Sequence, residues 1–194
     1  VTESEDGSRR VTAIFRTTSA CKSLDIPNWG GKVNILLDNV CVEKLNPDLR
    51  RIACVGDSIT EASNTDFSYP EQLQAMLGYD EYFVFNFGKS ASNVLEAGAY
   101  PYRTWAEWQY KYLKKWNPDT IVMMLGTNDG RFTTGIADYK DKRFIDDYIS
   151  LVNEFKGMCE KFYINISPYA FGNEYGINAS DVNDRIVNIQ GYLA

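Results

Sequence analysis

The 194-residue chain contains no histidine. Histidine is the side chain whose ordinary pKa best suits proton shuttling near neutral pH, so any hydrolytic chemistry has to find its base elsewhere. Cysteine is scarce: the four thiols, Cys21, Cys41, Cys54 and Cys159, are scattered and form no C-x-x-C pair. That excludes a disulfide framework and a cysteine-based zinc or redox site, and leaves buried free thiols as the expectation. Cys21 and Cys41 are the one pair that neighbouring strands could bring within bridging distance. Positive charge is also in deficit, with 20 Lys+Arg against 26 Asp+Glu and a net charge of -6. Without a basic footprint, neither nucleic acid nor a membrane surface is expected as a partner. No apolar run approaches the roughly 18 residues of a membrane helix, and the opening VTESEDGSRR is too polar for a signal peptide. What remains, at 44% hydrophobic, 24% charged and 14% aromatic, is the composition of a soluble globular domain with room for a small extra piece.

Two stretches read differently. In the first, Val11 to Thr17 and Val33 to Glu43 are β-type runs separated by the turn-rich Ile26-Pro27-Asn28-Trp29-Gly30-Gly31. Two or three strands cannot bury a core alone, so residues 1–48 read as the remnant of a β-sandwich module, with Leu45-Asn46-Pro47-Asp48 as linker. The run from Val33 to Glu43 resembles the closing strand of jelly-roll carbohydrate-binding modules. Residues 49–194 change to alternating strands and helices. Arg51-Ile52-Ala53-Cys54-Val55 is a short apolar run suited to a strand covered on both faces, and Tyr82 to Phe87, Thr120 to Leu125 and Lys161 to Ile166 repeat the pattern. Ser68-x-x-Glu71, Asn93-x-x-Glu96 and Thr104-x-x-Glu107 read as capping boxes, and Arg143 to Met158 as an amphipathic helix. Strands alternating with helices predict a parallel sheet layered α/β/α, whose sites form at the carboxyl ends of the strands.

Three segments fall at those ends: Gly56-Asp57-Ser58-Ile59-Thr60, Asn86-Phe87-Gly88-Lys89-Ser90 and Gly126-Thr127-Asn128-Asp129. A serine just beyond a strand can act as a nucleophile when backbone N–H groups face its oxygen. Ser58 with its own N–H, the N–H of Gly88 and the amide of Asn128 would make a hydroxyl facing a three-donor oxyanion hole, with Asp57 and Asp129 orienting the loops. The G-x-S-x-G elbow of α/β-hydrolases is absent, since residues 56–60 read G-D-S-I-T. Trp105, Trp108, Tyr112 and Trp116, spaced i, i+3, i+7 and i+11, are expected to form one core-facing helix stripe, with Tyr110 on the outer side. Tyr100 and Tyr102, outside that helix, are the candidates for lining a substrate pocket. Lys89 is the one lysine near the proposed site, and nothing in the sequence buries it enough to serve as a base.

The order G-D-S, then a glycine after the second strand, then G-T-N-D after the third, is similar to the SGNH (GDSL) hydrolase family. The likeness covers about Arg51 to Ala194 and implies a flavodoxin-like α/β/α domain in which Ser58 is the nucleophile and Ser58, Gly88 and Asn128 are the oxyanion donors. Ser68-Tyr69-Pro70 and the strand leading to GTND are similar to bacterial esterases that remove acetyl groups from sugars. The resemblance therefore implies a small-molecule or polysaccharide acyl ester as substrate, no metal or organic cofactor, and an extracellular or periplasmic bacterial setting. The family's late D-x-x-H block, whose histidine deprotonates the serine, has no counterpart. Ser180 to Ala194, SDVNDRIVNIQGYLA, reads as a helix without a stop signal. The expectation is a fragment lacking the strand, histidine loop and closing helix that would follow. The sequence is silent on oligomeric state.

Overall fold

The structure is a computed structural model that describes residues 48–62, 67–131, 143–173 and 176–184, and the backbone of 2–3 and 9–10. The chain divides into two units, Val1–Leu45 and Asn46–Ala194. In the first, β1 (Thr2–Glu3) pairs antiparallel with β2 (Arg9–Arg10). The β-runs expected at Val11 to Thr17 and Val33 to Glu43, the possible Cys21–Cys41 bridge, and the tail beyond residue 184 lie outside the described residues.

The second unit is built on a four-stranded sheet of order β4-β3-β5-β6. Its strands are β3 (Arg50–Gly56), β4 (Tyr82–Gly88), β5 (Thr120–Met124) and β6 (Lys161–Ile164). Every pairing is parallel. β3 is central, and its side chains divide by the period of two that a pleated strand imposes. Ala53 and Val55 join the larger core with Phe87, Ile121 and Met123. Ile52 and Cys54 face the smaller core with Val84. Helix α4 (Glu107–Trp116) and helix α5 (Phe144–Lys156) cover the first face, contributing Leu113, Phe144, Tyr148, Leu151 and Phe155. Helix α2 (Tyr69–Leu77) covers the second through Tyr69 and Leu73. The three layers expected from the alternation are present.

The capping boxes fared unequally. At Ser68 both reciprocal bonds form, Glu71 N–H to Ser68 Oγ and Ser68 N–H to Glu71 Oε2. Asn93 starts no helix; its carboxamide instead accepts from Tyr100 N–H at 2.9 Å and donates to Leu95 O at 2.8 Å, closing a loop on itself. Thr104 lies inside the short helix α3 (Tyr102–Trp105), with its hydroxyl turned back to Pro101 O.

The tryptophan stripe needs the same correction. The helix breaks at Ala106, φ -90 and ψ 41, so Trp105 and Trp108 do not share one helix axis. Trp105 is 45% exposed and Trp108 59%. Tyr112 and Trp116 do pack inward, against Phe85 and Phe87 at 5.5–6.0 Å between rings. Tyr110, expected outside, packs against the core, and its hydroxyl donates to Glu154. Ala106, just before α4, and Tyr110 and Leu113 within it face the core at i, i+4 and i+7.

Candidate active site

Register brings the three expected segments together. Gly56, the last residue of β3, is paired with Gly88 of β4 and with Met124 of β5, so the loops beginning at Asp57, Lys89 and Leu125 leave the sheet at one level. The chain moves from β3 outward to β4 and then back across to β5. Carboxyl ends at such a reversal are where open α/β sheets leave a crevice.

Ser58 opens helix α1 (Ser58–Glu61), capped by Asp57, whose Oδ1 accepts from Ile59 N–H at 3.0 Å. Two glycines let this helix sit directly on the strand ends. A Cβ on Gly56 would lie 1.9 Å from Thr60 Oγ1, and one on Gly88 would lie 2.3 Å from Glu61 N. Ser58 is partly exposed. Among the described residues neither its hydroxyl nor its N–H has a hydrogen-bond partner.

Asn128 and Asp129 lie in a 3-10 turn, Asn128–Gly130. Asn128 Nδ2 donates to Ser92 O at 3.0 Å, which leaves one N–H of that amide for another acceptor. Asp129, fully buried, accepts from Val94 N–H at 2.9 Å and Leu95 N–H at 2.9 Å. It therefore pins the loop after β4 to the loop after β5. Asp57 is buried as well, and loss of solvent pushes its carboxyl up to about 6, with the charge on Asp129 adding to the rise. The Ile59 N–H and the Thr127 hydroxyl oppose that shift. Asp57 Oδ2 has no partner in hydrogen-bond geometry among the described residues.

Two expectations change here. The Gly88 N–H is directed to Asn86 Oδ1 at 2.8 Å, so this glycine serves close packing rather than presenting a donor. Tyr102 is 1% exposed, and its hydroxyl donates to Phe87 O at 2.7 Å, so it offers a ligand no surface. Tyr100 is half-buried and meets the Trp105 ring edge-on at 4.7 Å. Lys89 Nζ stands 3.9 Å from Glu61 Oε1 and 5.8 Å from the Trp105 ring centre, an ion pair at the rim.

The sequence concealed Ala91. The loop after β4 uses its other N–H groups: Lys89 to Gly56 O, Ser90 to Glu61 Oε2, Ser92 to Lys89 O and Asn93 to Tyr100 O. Among the described residues the Ala91 N–H has no acceptor. Ala91 has φ 69, a left-handed conformation that costs a residue with a Cβ about 1 kcal/mol or more. Its neighbours bind Glu61 of the Ser58 helix on one side and the Asn128 amide on the other. A glycine or asparagine would have announced this conformation; an alanine does not.

A partly exposed serine thus stands at a strand end and at a topological reversal, and among the described residues its N–H and that of Ala91 have no acceptor. Residues 54–191 match the GDSL-like Lipase/Acylhydrolase family, and the chain belongs to it. A segment of 88 residues is 43% identical to an acetylxylan esterase of Xylanibacter ruminicola, covering 43% of this chain and 18% of that protein. The chain thus matches less than a fifth of that relative's length. The fold is similar to the acetyl xylan esterase AlAXEase, with TM-score 0.52 and 20% identity over 73% of this chain and 72% of that one. It is similar also to a catalytic mutant of Axe2, an acetylxylan esterase from Geobacillus stearothermophilus, with TM-score 0.50 and 18% identity over 74% and 72% of the two chains.

Proposed function

We propose that this chain carries the nucleophile and oxyanion-binding half of a serine ester hydrolase that removes small acyl groups, acetyl first among them, from carbohydrate. Ser58 Oγ attacks the acyl carbonyl. The Ser58 N–H, the free N–H of the Asn128 amide and the Ala91 N–H receive the oxyanion, with Ala91 taking the place expected of Gly88. Asp57 and Asp129 hold the loops that carry these donors and do not touch the substrate. A histidine outside these 194 residues takes the serine proton and returns it to the leaving sugar hydroxyl, because the chain itself has none. Asp57 is buried with one oxygen held by the Ile59 N–H, and Lys89 is paired with Glu61. The observation that carries this reading is the serine whose hydroxyl and N–H have no partner among the described residues, at the strand end where three loops are tied together. The acetylxylan esterase of Xylanibacter ruminicola supports acetyl and sugar as the two halves of the substrate.

The missing histidine favours a second reading, a carbohydrate-binding protein on the same scaffold without turnover. A lipase or thioesterase of this fold would instead require an apolar acyl channel.

The test is hydrolysis of p-nitrophenyl acetate, p-nitrophenyl octanoate and acetylated xylan by the full-length protein. Turnover of acetyl esters that Ser58→Ala abolishes is expected, and Asn128→Ala is expected to cost about 10²- to 10³-fold in kcat. Saccharide binding without hydrolysis selects the binding reading. Preference for the octanoyl ester selects the lipase. Robust hydrolysis by the 194-residue chain alone overturns the need for an outside base.

A further inference from the structure

We propose that Trp105 is a positioning residue that sets the direction of the Ala91 N–H by gripping the carbonyl of the same peptide unit. This inference rests on the assignment of Ala91 as an oxyanion donor.

Ser92 N–H donates to Lys89 O at 3.1 Å, closing a four-residue turn with Ser90 and Ala91 at its centre. Ala91 has φ 69, and Ser90 is not among the residues of positive φ, which is the signature of a type II turn. Type I and type II turns differ by a flip of their central peptide, here the Ser90–Ala91 unit. In a trans peptide the C=O and N–H point in opposite directions. Whatever holds Ser90 O therefore also aims Ala91 N–H. Trp105 Nε1 donates to Ser90 O at 2.7 Å.

The type II form is the costlier one for this sequence, because its third position favours glycine and alanine bears a Cβ there. Intrinsic preference would flip the peptide and turn the Ala91 N–H away. The indole bond opposes that flip, and a hydrogen bond to a carbonyl also polarises its peptide, strengthening the N–H at the other end. Two further contacts brace the turn: Glu61 accepts from Ser90 N–H, and the Tyr100 ring meets Trp105 edge-on at 4.7 Å. They explain why a tryptophan 45% exposed to solvent has a fixed task. An exposed indole that served solubility or surface packing alone would not need its N–H bonded to a main-chain oxygen of the loop after β4.

The experiment uses Trp105→Phe, which keeps a ring and loses the N–H, in the full-length protein. Two readouts are taken. The first is kcat and KM on p-nitrophenyl acetate, a substrate without a sugar. The second is the Cα and Cβ chemical shifts of Ala91 in protein labelled with 13C,15N-alanine, which report positive φ whether or not the protein turns over. Trp105→Phe is expected to lower kcat about tenfold with KM unchanged, the population change that one lost neutral hydrogen bond brings. The left-handed signature of Ala91 is expected to weaken in parallel. Adding Ala91→Gly to Trp105→Phe removes the Cβ penalty and is expected to restore most of kcat, which a merely structural tryptophan would not show.

Left-handed shifts of Ala91 that persist in Trp105→Phe overturn the clamp. So does unchanged kcat on p-nitrophenyl acetate combined with loss of saccharide ester turnover in Trp105→Ala, which would make the ring a sugar platform. Weakened shifts with unchanged kcat remove Ala91 from the oxyanion hole, and with it the catalytic purpose of the clamp. If the protein hydrolyses no ester, the esterase reading falls, and the shifts alone decide whether Trp105 holds the peptide.

Discussion

Asp57 sits one residue before the candidate nucleophile, buried, with one carboxyl oxygen bonded to Ile59 N–H and the other without a hydrogen-bond partner among the described residues. Burial, and then Asp129, raise its pKa from 3.8 to about 6. The consequence for stability has a definite sign. Between those values the folded protein holds a proton that the unfolded chain has released, so stability falls as pH rises from about 4 to about 6. Below that window there is no penalty; above it the penalty is complete, at about 3 kcal/mol as an upper figure. Asp57→Asn keeps an oxygen for Ile59 and removes the charge. It is therefore expected to match the wild type near pH 4 and to exceed it at pH 7, which urea unfolding at the two pH values measures. A variant equally stable or less stable at pH 7 would show that Asp57 ionises at an ordinary pKa. At this scale the sequence was readable where chemistry and strand position coincide. Ser58, Asp57, Asn128 and Asp129 each follow a strand by one to five residues. Ala91 and Trp105 were not readable. An alanine gives no sign of positive φ, and an aromatic at helical spacing looks like core until the break at Ala106 is seen.

Between elements, Glu154 is the bolt that joins the helices of the larger core. From α5 it accepts Arg103 Nε of α3 at 2.8 Å, Lys114 Nζ of α4 at 2.9 Å and the Tyr110 hydroxyl. Burial pushes its carboxyl up, but the bonds from Tyr110, Lys114 and Arg103 outweigh it and hold the group at about 2. Because the folded value lies below the unfolded one, the contribution is present above about pH 4.5 and fades as pH falls toward 2. Glu154→Gln is expected to lower stability by about 1–2 kcal/mol at pH 7, with the difference closing near pH 2. A deficit of the same size at both pH values would mean lost packing rather than lost charge. The sequence could not reveal this junction, since Arg103, Tyr110 and Glu154 are joined only by tertiary geometry. Capping boxes show the same limit. Ser68 succeeds although its hydroxyl also accepts from Asn86 Nδ2 at 3.4 Å, because an oxygen can take both bonds, whereas Asn93 satisfies its carboxamide within its own loop.

The whole second unit is a set of strands whose ends are stapled to one another, and that much could be read from the alternation of apolar runs with helices. Parallel strands covered on both faces need apolar residues where they are buried, and Ile52 to Val55 of β3 and Ile121 to Met124 of β5 obey. What the alternation could not supply is how closely α1 rides on the sheet. Gly88 tests that closeness. A methyl there would meet Glu61 N at 2.3 Å and Thr60 C at 2.8 Å, and these are backbone atoms that cannot swing aside. Either α1 lifts away from β4 or β4 bends. Both moves strain the Lys89 N–H to Gly56 O bond at 3.0 Å, and both carry Ser58 away from the turn that holds Ala91. Gly88→Ala is accordingly expected to cost about 1–3 kcal/mol in urea unfolding, as overpacked sites do. It is also expected to lower kcat of the full-length protein more than Glu154→Gln does, although Glu154 is far more heavily bonded. The contrast separates two kinds of damage. A bolt between helices loosens the core evenly, whereas a wedge between α1 and β4 moves the nucleophile relative to its donors. Equal kcat in the two variants would show that the three loops tolerate displacement, and that their common level at Gly56, Gly88 and Met124 matters for the fold alone.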